Sequence, residues 1–259
     1  MDTCRAPDFS LTDRLALITG STQGLGLAIA KAYAASGARV IINGRNGDRV
    51  AQVVNGLASQ GYQAYAHVSD IGKLPEQAAA FEQLCQDVGT PDILVNNVGI
   101  RIRKPLAQAS LDDIVELINV DLIAAVHLSK LAAGAMAANA LRGRLITLTS
   151  IAGELARPGD AIYPIAKQGL SGMIRALAVE YGHCGITSNG IAPGTFATET
   201  NAGLVNDPVK STIVVGRNPL GRWADPDEIA GAAVFLASPS ASYVNGHILV
   251  VDGGFSVTF

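Results

Sequence analysis

The sequence predicts one α/β domain, doubly wound around a central parallel sheet with helices on both faces. Three observations point there. Short apolar runs alternate with helical stretches along all 259 residues, the first run feeds directly into a glycine cluster that opens a helix, and neither a linker nor an internal repeat divides the chain. Residues 1–259 are therefore expected to form a single domain of about seven strands and six helices. Composition agrees: 49% hydrophobic residues, only 16% charged residues and 28 glycines suit strands buried on both faces. The net charge of −3 gives no general attraction to nucleic acid or to an acidic membrane surface. Cys4, Cys85 and Cys184 are odd in number and far apart, which indicates neither a disulfide framework nor a zinc site. The first eight residues carry no apolar leader, and no run approaches about 18 apolar residues, so a cytoplasmic protein without membrane attachment is expected.

The run over 14–19 reads as the first strand, followed by Gly20-Ser21-Thr22-Gln23-Gly24-Leu25-Gly26 and a helix over 27–36 that stops at Gly37. Strand, glycine turn and helix open a dinucleotide-binding unit of Rossmann type. The glycines let backbone approach backbone and ligand, and the helix start offers free N–H groups to a pyrophosphate. Gly20, Ser21, Gln23, Gly24, Leu25 and Gly26 are the candidate cofactor contacts in this turn. The second strand, over 39–43, ends at Gly44-Arg45-Asn46 before a helix over 47–60. An acidic residue at that strand end would hold a ribose 2′-hydroxyl and repel a 2′-phosphate. None is present; Gly44 leaves room and Arg45 offers a planar fork suited to phosphate, so NADP(H) is expected rather than NAD(H).

A third strand over 62–68 and a helix over 75–88 follow. The fourth strand, over 91–95, runs into Asn96-Asn97-Val98-Gly99, where two amides and a glycine bring backbone against a ligand. Residues 111–139 read as one long, Ala-rich helix with Asn119 in its interior, a position where Asn commonly faces solvent. A fifth strand over 144–149 reaches Ser150, and a helix then carries Tyr163. The sixth strand, over 186–191, leads to Pro193-Gly194. Residues 195–218 show little periodicity and read as a lid or substrate loop. The helix over 225–236 begins with Asp225 as N-cap, Pro226 and an acidic first turn, and 248–251 is the last strand. In this order the glycine turn, Asn97, Ser150 and Pro193-Gly194 face one crevice.

The chemistry centres on Tyr163-Pro164-Ile165-Ala166-Lys167. A Tyr and a Lys four residues apart lie on one helix face, about one turn apart. A free phenol has a pKa of about 10 and is a poor base at neutral pH. A neighbouring ammonium favours the phenolate and makes the pair usable as an acid–base group near pH 7. A Ser150 hydroxyl at the preceding strand end can converge with the phenol on one carbonyl oxygen.

With these motifs assembled, the chain resembles the short-chain dehydrogenase/reductases along essentially its whole length. The matching elements are Thr19-Gly20-x-x-x-Gly24-x-Gly26, Asn96-Asn97-x-Gly99, Asn119, Ser150, Tyr163-x-x-x-Lys167 and Asn189-Gly190-x-x-Pro193-Gly194. The resemblance implies an oxidoreductase that interconverts a secondary alcohol and a ketone without a metal. It implies that Tyr163 exchanges the proton and that Ser150 hydrogen-bonds the same oxygen. Lys167 would assist Tyr163 and bind the nicotinamide ribose, and Asn119 would hold a water that links Lys167 to solvent. Asn97, Gly99, Pro193, Gly194 and Thr198 join Tyr163 and Lys167 as expected cofactor contacts. Two positions depart from the family pattern: His67 stands where an Asp usually contacts adenine, and Val98 replaces the usual Ala.

For substrate, Arg103 and Arg157 are the cations expected beside the catalytic groups, suited to a carboxylate. The stretches Asn43-Gly44-Arg45-Asn46, Glu154-Leu155-Ala156-Arg157-Pro158-Gly159 and Phe196-Ala197-Thr198-Glu199 look like those of gluconate 5-dehydrogenases, which implies a sugar acid such as gluconate and 5-ketogluconate. The alternatives are a 3-oxoacyl-[acyl-carrier-protein] reductase and a catalytically silent NADP(H)-sensing scaffold. Relatives pack the helices bearing Asn119 and Tyr163 into dimers of dimers, so a homotetramer is implied.

Overall fold

In the computed structural model, which describes residues 6–258, the apolar runs pair into one seven-stranded parallel sheet of order β3-β2-β1-β4-β5-β6-β7. The strands are β1 (Leu15–Ile18), β2 (Arg39–Gly44), β3 (Ala64–Val68), β4 (Ile93–Asn96), β5 (Arg144–Leu148), β6 (Thr187–Pro193) and β7 (Ile248–Val251). Parallel pairing leaves no room for tight hairpins, so each strand returns through a helical crossover. Alternate side chains of the central strands enter opposite cores. Leu15, Leu17, Leu94 and Leu145 point to one face, and Ala16, Ile18, Ile93, Val95, Ile146 and Leu148 to the other. Burial on both faces is why these strands read as unbroken apolar runs.

Three helices cover one face: α1 (Gly24–Ala35), α2 (Gly47–Ala58) and, much later, α9 (Ala230–Ala237). The other face is covered by α3 (Leu74–Asp87), α5 (Ala124–Ala138) and α6 (Ile162–Tyr181). At the edge opposite the crevice, Arg14 bonds the Asp92 carboxylate at 2.5 Å and the Arg142 carbonyl at 3.0 Å, and Asp92 accepts from the Leu15 amide. This clasp aligns the starts of the three central strands.

Two segments differ from the sequence expectation. The helix expected over 111–139 is interrupted. α4 (Leu111–Ile118), capped by a reciprocal Ser110–Asp113 box, passes into a π-helical turn, Asn119–Ile123, before α5 resumes. A π turn carries one residue more than an α turn, which periodicity alone does not disclose. Residues 195–218 are not structureless either: they hold α7 (Ala202–Val205) and α8 (Pro208–Val215). Asp207 caps α8 by accepting from the Val209 and Lys210 amides, with Pro208 in the first turn. The same Asp-Pro signal that announces the helix at Asp225 was therefore present here. At Asp225 itself the helix begins as a 3-10 turn, Pro226–Ile229, inside a second capping box. Cys85 and Cys184 are free thiols, and Cys4 lies outside the described residues. Among the described residues no helix is long and apolar enough to cross a membrane.

Candidate active site

The strand order reverses between β1 and β4, and the carboxyl ends of the central strands border a crevice of about 820 Å³. Gly20, Thr22, Gln23 and Leu25 line it on one side. Gly20 has φ +61°, a left-handed conformation, and Gly26 leaves no space for a side chain: a Cβ there would lie 2.5 Å from Asn97 Nδ2 and 2.6 Å from the Gly20 carbonyl. That contact seats the start of α1 directly on β1 and β4. The N-cap Gln23 makes no side-chain cap bond, so no side chain caps the first N–H groups of α1. Asn97 stitches the turn to β4, its Nδ2 donating to the Thr19 and Gly20 carbonyls. Ser21 belongs to the frame rather than to the crevice wall. It is fully buried, donates to the Ile18 carbonyl at 2.7 Å and accepts from the Asn43 amide, which locks β1 to β2. Gly24 lies beneath the next loop, close to Thr198 and Glu199.

At the end of β2, Gly44, Arg45, Asn46 and Arg49 share the crevice wall. Arg45 is largely exposed, 3.8 Å from the Asp70 carboxylate. Arg49, which the sequence reading passed over, sits in the capped first turn of α2 with its Nη1 3.2 Å from Gln23 Oε1. Its spacing of four from Arg45 was the available signal. Two guanidinium groups thus stand beside the glycine turn at this end of the crevice. His67 does not face this crevice: its Nε2 pairs with Ser69 Oγ at 2.9 Å and it borders a separate cavity of about 140 Å³. From the end of β3 it is Ser69, Asp70 and Ile71 that reach the main crevice.

At the other end stand Ser150, Tyr163 and Lys167, with Asn97, Gly99, Pro193, Gly194 and Thr198 lining the same space. Ser150 closes β5 and caps a 3-10 turn, its Oγ accepting from the Ala152 amide at 3.1 Å, so the hydroxyl proton is free to point into the crevice. Tyr163 is buried against Leu117, Ile162 and Ala166. The Lys167 ammonium, 3% exposed, lies 5.4 Å from the centre of the Tyr163 ring and 3.4 Å from the Leu148 carbonyl.

Asn119, read as the holder of a water that links Lys167 to solvent, makes no direct bond to Lys167 itself. It begins the π turn and its Nδ2 donates to the Gly72 carbonyl at 2.9 Å, tying that turn to the segment after β3 instead of facing solvent. The partner of the ammonium is Asp121, two residues on, at 3.3 Å. Asp121 escaped the sequence reading, although an acid between Val120 and Leu122 in an apolar helix was a visible anomaly. Burial pushes its carboxyl up from the usual carboxylate range, opposed by the Lys167 ammonium, the Ile100 amide and Arg101.

The cationic stretch after β4 is arranged differently from its sequence reading. Arg101 lines the crevice, with its guanidinium 4.4 Å above the Tyr163 ring. Arg103 is exposed and does not line the crevice; partial desolvation and the like charges of Arg101 and Arg157 hold it below the usual guanidinium range. Lys104 is engaged by Asp113, and Arg157 by Asp160 at 2.9 Å. Arg157 is thus neutralised locally.

Residues 20–256 match the family described as enoyl-(acyl carrier protein) reductase. The chain is 38% identical to a gluconate 5-dehydrogenase of Gluconobacter oxydans, over 97% of this chain and 98% of that protein. It is 37% identical to a 5-keto-D-gluconate 5-reductase of Escherichia coli, over 96% and 98%. A solved gluconate 5-dehydrogenase from Burkholderia cenocepacia, in complex with NADP and tartrate, superposes with a TM-score of 0.93 at 38% identity, covering 97% of this chain and 98% of that one.

Burial holds the His67 imidazole below its usual range. The unfolded chain therefore binds more protons than the folded one below the ordinary imidazole value of about 6.5, and folding stability falls as pH drops through that window. Urea unfolding at pH 7.5 and 5.5 should show a smaller acid-side loss for His67→Gln than for the unaltered protein; equal losses would place the proton uptake elsewhere.

Proposed function

The chain belongs to the short-chain dehydrogenase/reductase family, and from that premise we propose that it is an NADP(H)-dependent oxidoreductase interconverting a sugar acid and its keto acid, of the gluconate and 5-ketogluconate kind. The observation that carries the reading is the grouping of Ser150, Tyr163 and Lys167 in one crevice, with the Arg101 guanidinium over the Tyr163 ring. The relatives named for gluconate or 5-ketogluconate support the substrate class, and the NADP in the Burkholderia structure supports the cofactor.

The residues fit such a cofactor. The uncapped start of α1, the side-chain-free approach at Gly20 and Gly26, and the pair Arg45 and Arg49 suit a pyrophosphate and a 2′-phosphate. Pro193, Gly194, Thr198, Asn97, Gly99 and Lys167 would hold the nicotinamide half. When bound, NADP(H) supplies or accepts the hydride. Tyr163 exchanges the proton with the substrate oxygen. Ser150, its oxygen already occupied as an acceptor, donates its proton to that same substrate oxygen and polarises the carbonyl. The Lys167 ammonium stabilises the Tyr163 phenolate. Asn119 supports the site by fixing the π turn to Gly72. Arg101, which lines the crevice, would meet a substrate carboxylate, while Arg103 lies outside the crevice lining and Arg157 is already paired with Asp160. A cytoplasmic homotetramer completes the reading. Val126, Ile165 and Val179 leave apolar surface exposed on α5 and α6, the helices that would pack between subunits.

Oxidation of NADPH should proceed with 5-ketogluconate and stop in Tyr163→Phe; Arg101→Ala should raise KM for the keto acid about tenfold or more, the cost of a lost charge-assisted bond. Turnover of an acetoacetyl thioester in place of the keto acid would instead mark a 3-oxoacyl-[acyl-carrier-protein] reductase. Arg45→Ala and Arg49→Ala should each raise KM for NADPH about tenfold while leaving NADH nearly unaffected, and a preference for NADH in the unaltered enzyme would refute the phosphate site. Sedimentation should show a tetramer; a monomer at micromolar concentration would sink that assignment.

A further inference from the structure

Lys167 is a cation enclosed by protein, and Asp121 is an equally enclosed acid with no exposed surface. Oδ2 of Asp121 lies 3.3 Å from Lys167 Nζ, while Oδ1 accepts from the Ile100 amide at 2.6 Å. The contact is built from four parts of the fold. The π turn supplies Asp121, α6 supplies Lys167, the loop after β4 supplies the Ile100 amide, and Gly99 supplies space. A Cβ at Gly99 would come within 2.8 Å of Asp121 Oδ2 and 3.1 Å of Lys167 Nζ. A buried ammonium left without a counter-charge would be strongly destabilising.

The remaining charged groups around this pair are accounted for. From α6 there is Tyr163, whose ring is 5.4 Å from the ammonium; Arg175 and Glu180 on that helix are exposed. From the loop after β4, Arg101 acts on Asp121 and lies over the same ring. On α4, Asp112 and Glu116 are exposed and Asp113 is engaged by Lys104. On α5, Lys130 is exposed and His127 is bonded to Gln77. Asp121 is thus the acid that balances Lys167.

We propose that Asp121 is a positioning residue for the reaction read above. Its charge, 3.3 Å from the Lys167 ammonium and fully buried, offsets part of the ammonium's pull on the phenolate, and so sets the pH at which alcohol oxidation turns on. This rests on Tyr163 being the group that exchanges the proton. An asparagine at position 121 keeps an oxygen for the Ile100 amide, and the Leu148 carbonyl still holds the Lys167 ammonium, while the negative charge opposing its field is gone; the phenolate then forms at lower pH.

The test is the pH profile of kcat/KM for gluconate oxidation by NADP, set beside a titration of tyrosinate absorbance without substrate, with Tyr163→Phe as the reference that isolates this one phenol. In Asp121→Asn both midpoints should move to lower pH by about one unit, the shift expected for removing a charge several ångströms away at an effective dielectric near 20. Asp121→Glu, which restores the charge, should bring both back towards the unaltered values. A loss of turnover with the midpoints unmoved, or moved upward, would reduce Asp121 to a packing residue and overturn the proposal. Full turnover by Tyr163→Phe would overturn the catalytic reading and this inference together; an inactive Tyr163→Phe with unmoved Asp121→Asn midpoints would overturn this inference alone. Should Asp121→Asn not fold, the unaltered protein labelled with carboxyl-13C aspartate decides. The Asp121 signal must shift in step with Tyr163 ionisation, and a signal indifferent to it would overturn the proposal.

Discussion

Everything in this molecule follows from a sheet whose strands all run the same way. Parallel strands put every carboxyl end at one edge and every amino end at the other. The chain moves outward from β1 through β2 to β3, then crosses back to β4 and moves outward in the opposite sense to β7. The loops leaving β1 and β4 therefore part company, and a crevice opens between them without any side chain being removed to make it. The Arg14–Asp92 clasp holds the far edge closed, so the gap exists at one edge only. The glycine turn, Asn96 and Asn97, Ser150 and Pro193-Gly194 come together because each lies at or just past the carboxyl end of a central strand.

Within that crevice the end that holds Ser150, Tyr163 and Lys167 encloses a positive charge. An ammonium buried to the extent of Lys167 requires compensation, and here it comes from a carboxylate that must itself be buried. Two irregularities meet at that point: a π turn in an otherwise regular helix and a glycine that cannot carry a side chain. Each costs something by itself, and together they accommodate a pair of charges under a phenol. Local departures from regular structure commonly collect where chemistry is done.

Much of this was legible in the residues. The alternation of apolar runs and helices disclosed the sheet, the glycine spacing disclosed the tight turn that opens α1, and Tyr163-x-x-x-Lys167 after Ser150 disclosed three side chains that share one crevice. What stayed hidden had physical reasons. A π turn inserts a single residue, too little to disturb the apolar pattern of 111–139, so neither the break in the helix nor the contact of Asp121 with Lys167 shows in the periodicity. Among the three cations of Arg101-Ile102-Arg103-Lys104, spacing does not reveal that Asp113 captures the last or that Arg101 turns over an aromatic ring. Ser21 sits among glycines that line the crevice yet points into the frame, since a strand end exposes neighbouring residues to opposite sides. The α8 cap was readable at Asp207 and was missed because the surrounding residues lack helical period.

The crossing from β3 to β4 also bears on how the chain is made. β1 is the middle of the finished sheet, yet its inner edge pairs with Ile93, Leu94 and Val95, which leave the ribosome long after it does. Until then β1 lacks its partner along that side, and its N–H and C=O groups there are open to any extended segment nearby. The arrangement that creates the crevice thus also creates an interval during synthesis in which the nascent chain is most exposed to mispairing. That hazard ends when β4 docks and the two halves join.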